Sequence, residues 1–395
     1  MKRSRISIVM TSTLVLAAAL TLTTIAPAAE LRARGILDMT LSSGTEARVL
    51  NGTTQGDSNF DPYKVLLFVD AAVTPTISVY LWMNLHEGVA GLRADGAYAQ
   101  WTPWLDRDLH VQAGKLPWPI GTWEARGYSN HNPLVGTPLM YQYHTSLTWN
   151  MPTTSIDQLV ASAGTGQQVL AYGSDVTFGM PVVDVRYWDV GVVALGAKRP
   201  FEFSVGTMQG SPGWPVTGHD NTPGQTVLGR VGLLPAPGLR VGVSGAWGTW
   251  QPEWFAPLLP SGGSLRDYHE WTAMSDLEIS RGRWELHGEG YLKGWQTILT
   301  GTLRVGGGYA ETRVEVPGGA WIAARWEAMR FSDVHTAAGV TRPWDNDIDR
   351  LETGVGYRVS RDVNVKASFQ RNVMHGFAEK ATVGDLFALA TSVRF

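Results

Sequence analysis

Along most of this chain, apolar and polar residues alternate with a period of two, and each alternating run stops at a short cluster of Gly, Pro, Ser, Asn or Asp. The clearest hairpin runs through Leu351–Arg358, turns at Ser360-Arg361-Asp362, and returns through Val363–Val373. In its second half Val363, Val365, Ala367 and Phe369 share one face, and Asn364, Lys366, Ser368 and Gln370 share the other. Similar pairs flank Pro235-Ala236-Pro237-Gly238 and Ser280-Arg281-Gly282-Arg283. Further runs are Lys64–Ala72 into Ile77–Leu85, Leu92–Trp101 into Leu109–Gly114, and Phe201–Thr207 after Gly196-Ala197-Lys198-Arg199. Strands with one apolar and one charged face, repeated the length of the chain, predict an all-β protein whose sheet meets two different solvents.

Long connections, at about 44–61, 210–224, 250–266, 332–346 and 374–383, alternate with the short turns. Short turns at one end and long loops at the other is the asymmetry of a transmembrane antiparallel β-barrel. The final run, Leu386–Phe395, alternates to the last residue and ends on an aromatic. Both chain ends of such a barrel lie on one side, so the strand number is even. The pairs give about 16 strands, or 18 if Leu139–Asn150 and Val169–Gly179 also cross. Residues 117–138 are dense in Gly, Pro and Asn, which break strands, so 16 is preferred. Residues 117–183 then form one long excursion, expected to bend into the lumen and narrow it.

The start of the chain supports export. Lys2, Arg3 and Arg5 precede an apolar stretch from Ile6 to about Ile25, and Ala26-Pro27-Ala28 offers small residues for cleavage. Residues 1–28 therefore read as a Sec-type signal peptide and 29–395 as a single outer-membrane barrel. Removing the signal leaves 29 basic residues against 35 acidic ones, which argues against nucleic acid as a partner. Cysteine is absent, so thiol chemistry and thiolate metal sites are excluded. The 45 glycines and 17 tryptophans favour twisted strands and rings at a lipid–water boundary.

The chain resembles the porins, and more narrowly the phosphate-selective porin O and P family. The likeness lies in Gly114-Lys115-Leu116-Pro117 with Pro119-Ile120-Gly121, in the hairpins Arg230–Gly245 and Asp276–Lys293, and in the terminal strand. It spans most of the mature chain as pattern more than identity. The resemblance implies a passive outer-membrane barrel, often a homotrimer, with a lumen-folded loop after an early strand. Selectivity for phosphate needs a ladder of inward Arg and Lys. Alternation turns inward Lys64, Arg93, Arg230, Arg240, Arg325 and Arg358, but also Glu285, Glu289, Glu327 and other acids, so weak ion selectivity is expected. Those nine residues are the expected pore lining, and Trp123, Glu124 and Arg126 the expected constriction.

Other chemistry is weaker. His144 and Ser146 lie two residues apart on one run, which is wrong for a catalytic triad whose members meet from separate elements. Asp345-Asn346-Asp347-Ile348-Asp349 lacks the Gly turn and bidentate Glu of a calcium loop. Glu278, Glu285 and Glu289 read as hydrophilic lining rather than an acid–base set. Tyr98, Trp247, Trp284 and Tyr357 are expected outward at the lipid boundary, and Tyr80, Trp82 and Trp101 inward. The expected function is passive diffusion of small hydrophilic solutes across an outer membrane, without enzyme activity, cofactor or metal. The alternatives are a solute-specific channel for sugars or small organic acids along an aromatic track, and an outer-membrane hydrolase.

Overall fold

The structure, a computed structural model, describes residues 30–43, 62–86, 91–149, 153–164, 166, 179–184, 188–213, 222–376 and 382–395. The expected signal peptide lies outside the described residues, as do the connection 44–61 and most of the Val169–Gly179 run. The first strands are β1 (Glu30–Ser43), β2 (Tyr63–Thr74), β3 (Ile77–His86), β4 (Arg93–Trp101) and β5 (Leu109–Pro117). After a long connection come β6 (Trp188–Lys198), β7 (Phe201–Met208), β8 (Thr226–Ala236), β9 (Leu239–Thr249), β10 (His269–Arg281) and β11 (Trp284–Thr297). Then follow β12 (Gly301–Val316), β13 (Ala320–Phe331), the small pair β14 (Asp333–His335) and β15 (Thr341–Pro343), and β16 (Asp347–Arg358), β17 (Val363–His375) and β18 (Thr382–Arg394). Apart from β14 and β15, each strand pairs antiparallel with its neighbours in the chain, and β1 pairs with β18 to close a barrel of 16 strands.

Closure follows from the solvent. In hydrocarbon no water can satisfy a strand's outer N–H and C=O groups, so the sheet must end on itself. The last rung is made by Phe395, whose N–H donates to the Gly35 carbonyl at 3.0 Å while its own carbonyl accepts from Gly35 at 2.8 Å. Outward positions are apolar and uncovered, including Leu41, Val205, Val243, Leu292, Ile322 and Trp326. Inward positions on the same strands are polar and buried, as in Lys366, Ser368 and Gln370 of β17.

At one end the strands join by tight turns such as Pro75-Thr76, Pro237-Gly238 and Gly282-Arg283. Gly238 and Gly282 take positive φ of 75° and 63°, which a side chain resists. The long connections lie at the other, loop end, where Ile298–Thr300 is short. The run Gly196-Ala197-Lys198-Arg199 belongs mostly to β6, and its turn falls at Arg199-Pro200. The barrel closes on 16 strands, the preferred count. Leu139–Gln142 is a helical turn, α1, buried inside the barrel.

Trp247, Trp284 and Tyr357 face outward, as expected. Tyr98 and Trp101 are exchanged relative to expectation: Tyr98 is buried inside at 9% exposure and Trp101 is exposed outside at 52%. A register shift between β3 and β4 causes this, because Trp82 pairs with Gly96 while Met83 pairs with Ala94. Asp95 is the extra residue, and the inward positions switch from odd to even across it.

Candidate functional site

The connection after β5 does not leave through the loop end. Leu116, Trp118 and Ile120 are buried, and the chain turns at Gly121 with φ of +67°. A Cβ at Gly121 would come within 2.5 Å of the Tyr141 hydroxyl and 2.6 Å of Glu289 Oε1, so the turn depends on glycine. Beyond it, Gly121 N–H donates to Ser244 Oγ of β9 at 3.0 Å, and Thr122 N–H to Glu289 of β11. Arg126, in the short 3-10 turn Glu124–Arg126, pairs with Glu311 of β12. The hydroxyl of Ser129 donates to Asp38 of β1 and lies 2.9 Å from that of Ser392 of β18. The path then returns along β17, β16 and β13. Val135 N–H donates to Ser368 at 3.0 Å, Gly136 N–H to Glu352 at 2.9 Å, and Leu139 N–H to Glu327. All these partners point inward in the strand registers, which puts residues 121–139 inside the barrel against its β9–β18 side and β1.

Three buried groups hold this loop. Lys366 Nζ donates to the carbonyls of Ser129, Asn132 and Leu134 at 2.7–2.8 Å. Arg325, fully buried, donates to Glu311, Glu327, Glu352 and the Gly136 carbonyl at 2.6–3.0 Å. Glu289 accepts from the Thr122 amide and from the hydroxyls of Tyr141 at 2.7 Å and Tyr309 at 2.9 Å. Charges taken out of water need an opposite charge or hydrogen bonds: Arg325 is paired with three carboxylates, and Lys366 and Glu289 are held by hydrogen bonds.

Towards the loop end the interior changes character. Met208, Leu228, Met274, Tyr291, Val305, Met329 and Ile348 all lie inside, buried against Leu116, Trp118, Leu139, Met140, Tyr141 and Tyr143. Around residues 116–147 this end of the lumen is packed and largely apolar, with the buried Lys293–Glu270 pair among it, and Asp345 closes the packing above. Its carboxylate accepts N–H bonds from Ser146 at 2.7 Å, Gly164 at 2.8 Å and Asn346 at 2.7 Å, and the Tyr143 hydroxyl at 3.2 Å. Burial pushes it up to about 6, against the pull of those hydrogen bonds. Asp345 is thus a clip between loops rather than a cation ligand. Asp347 accepts from Phe331 N–H, and Asp349 pairs with Arg330 at 2.6 Å and His375 at 3.0 Å.

The expected lining residues divide in two. Lys64 and Arg93 are partly exposed on the wall that the loop leaves open, and Arg240, Glu285 and Arg358 are partly exposed towards the turn end. Arg240 pairs with Glu202 at 2.6 Å and Glu278 at 3.5 Å, Glu285 with Arg313 at 3.4 Å, and Arg358 with Glu315 at 3.6 Å. Glu289, Arg325 and Glu327 face inward but lie under the loop, cut off from water, and Arg230 is buried between Asp276 and Glu202. Glu289, Arg325 and Glu327 bond to the loop that covers them, whereas Arg230 ties β8 to β7 and β10. Of the expected constriction, Trp123 is buried, stacked on Tyr141 and flanked by the guanidinium groups of Arg126 and Arg325 at 5.5 and 5.6 Å. Glu124 is partly exposed, and loss of surrounding water pushes it up to about 7. Glu311 and Lys366 emerge as anchors that the candidate set did not contain. Their signal was only a charge at an inward strand position. His144 Nδ1 lies 2.6 Å from the Gly179 carbonyl, so that ring atom is bound to backbone and not to a nucleophile.

No family model and no curated protein matches the chain. Among solved structures it is similar to an anion-selective porin from Comamonas acidovorans, at 10% identity over 93% of this chain and 100% of that one, with a TM-score of 0.58. It is also similar to OmpF of Salmonella typhi in complex with daunomycin, at 9% identity over 93% and 98%, with a TM-score of 0.55. A third similarity is to OmpT, an outer-membrane protein of Vibrio cholerae in trimer form, at 11% identity over 93% and 99%, with a TM-score of 0.53. At such identities the likeness is one of fold, and the fold is the closed transmembrane barrel of the outer-membrane porins.

Proposed function

We propose that this chain is an outer-membrane channel through which small hydrophilic solutes diffuse passively. One observation carries the reading: the inner loop is bonded to one side of the barrel, and the facing wall and turn-end vestibule keep partly exposed polar groups of both signs. Lys64, Asp70, Arg93 and Gln100 belong to the first, and Glu202, Arg240 and Glu285 to the second. A polar solute crossing hydrocarbon loses its hydration, and a wet path along such groups removes that barrier. The mixed signs support weak ion selectivity rather than a phosphate channel. The chain works without enzyme chemistry, and the buried, backbone-bound His144 supports that. Assembly as a homotrimer is part of the same proposal and is checked by the mass of the detergent-solubilised particle.

Planar-bilayer recording tests the channel. Stable unitary currents are expected, with a reversal potential near zero in a salt gradient. Sugars should swell liposomes in order of size and without saturation. Folded protein that passes no current would overturn the proposal.

A further inference from the structure

On the side of the lumen that the loop only reaches with its tip, six rings from different elements converge. Phe68 of β2 meets Trp82 of β3 at 5.3 Å and Tyr128 of the loop at 5.5 Å, both edge to face. Trp82 also contacts Tyr128 at 6.0 Å, Tyr98 at 6.5 Å and Trp188 at 4.7 Å, and Tyr80 stacks on Tyr98 at 4.9 Å. Phe68, Tyr80, Trp82 and Tyr128 are only partly buried, so ring surface faces the lumen. Trp82 Nε1 has no acceptor among the described residues.

Beside these rings stands a carboxyl group without a partner. The Glu124 side chain makes no hydrogen bond or ion pair among the described residues, and its 3-10 turn, closed by Gly127, leads directly into Tyr128. Asp95 is held through both oxygens by Asn84 Nδ2 at 2.7 and 2.9 Å. Arg34 of β1 lies opposite Phe68 but is bound to Asp70 at 2.6 Å. In the strand registers Arg93 pairs with Asn84, one inward step from Trp82, and Lys64 pairs with His86, two steps away, both towards the loop end. Packing accounts for the rings alone. It gives no role to a partnerless carboxyl group at their side, which a proton or an incoming cation neutralises.

We propose that this cluster is a binding station for small organic cations, an ammonium or guanidinium carried on an apolar or aromatic body. The charged head sits at the Glu124 carboxylate and the body lies against Trp82 and Tyr128. The station rests on the reading of the lumen as a solute path, and its test does not depend on conduction.

The test is calorimetric titration of the purified full-length protein in detergent micelles with benzyltrimethylammonium, benzenesulfonate and benzyl alcohol. The cation is expected to bind about tenfold or more tightly than the other two, and Glu124→Gln to weaken it about tenfold, with Tyr128→Leu acting in the same direction. Correct folding of each variant is checked by its heat-modifiable migration on gels. Equal affinity for cation and sulfonate, no binding of the cation, or unchanged cation affinity in folded Glu124→Gln would each overturn the station. If the cation binds selectively but bilayers show no current, the channel reading fails and the station stands. If current flows and no cation binds, the station alone fails.

Discussion

Gly121 occupies a place that no other residue fits, and Gly35 one that a side chain shares only by displacing the Phe395 ring. At Gly121 a methyl group meets Tyr141 and Glu289, the pair that fixes the first bend of the inner loop. Gly121→Ala adds a clash to a positive φ, a cost on the order of 1–3 kcal/mol. The bend should open and the loop lose its hold on β11, so single-channel conductance should rise with noisier current; an unchanged trace would mean that this bend does not set the aperture. Gly35 lies under the Phe395 ring at the closing seam, and a Cβ there would enter the ring. Gly35→Val should therefore lower the yield of heat-modifiable, closed barrel severalfold in refolding assays, with the β17–β18 hairpin unaffected. The sequence showed Phe395 as a terminal strand residue and Gly121 as part of a breaker-rich stretch. It could not show what each glycine lies against, because those contacts join positions far apart in the chain.

At the scale of elements, β17 shows both what alternation tells and what it hides. Period two correctly put Asn364, Lys366, Ser368 and Gln370 on the inner face, but period two is blind to whether that face is wet. Lys366 instead gathers three loop carbonyls in a buried cradle. Lys366→Met removes the donors and leaves those carbonyls unsatisfied, at about 1–3 kcal/mol each before relaxation. The loop should loosen between residues 129 and 134 while the strands persist, seen as lost amide protection confined to that stretch. At the other end of the loop, Asp345 clips Tyr143, Ser146 and Gly164 to the connection before β16. Burial raises its folded carboxyl to about 6, against 3.8 when free, so the folded state holds the extra proton between those values. Stability of this junction therefore falls as pH rises from about 4 to 6. Amide protection at 143–146, corrected for intrinsic exchange, should drop across that window by up to about a hundredfold, and Asp345→Asn should flatten the profile.

Over the whole molecule, strand number, closure and the long excursion after β5 were legible because each leaves a regular mark: alternation, an aromatic end, a breaker-rich gap. The filled loop-end part of the lumen left a fainter mark, in weakened alternation. Towards the loop end of β11, Tyr291 and Trp295 face inward while Leu292 faces lipid, with Lys293 between the two rings, buried and paired with Glu270 at 3.0 Å. Large rings on the inner face of a strand meet protein rather than water, and a charge among them is held by an ion pair. The inner face under the loop fixes what removing it does. Deleting residues 122–138 uncovers Asp38, Glu289, Glu311, Glu327 and Glu352, five carboxylates held against Arg325, Arg350 and Lys366. Conductance should rise several-fold, and the reversal potential should move towards cation preference, most strongly at low salt where screening is weak. The apolar ring of Met274, Tyr291, Val305 and Met329 should keep part of the lumen dry, so the gain stays below that of an empty barrel of 16 strands. Unchanged current in the folded deletion would place the limiting aperture elsewhere, in the connections at the loop end.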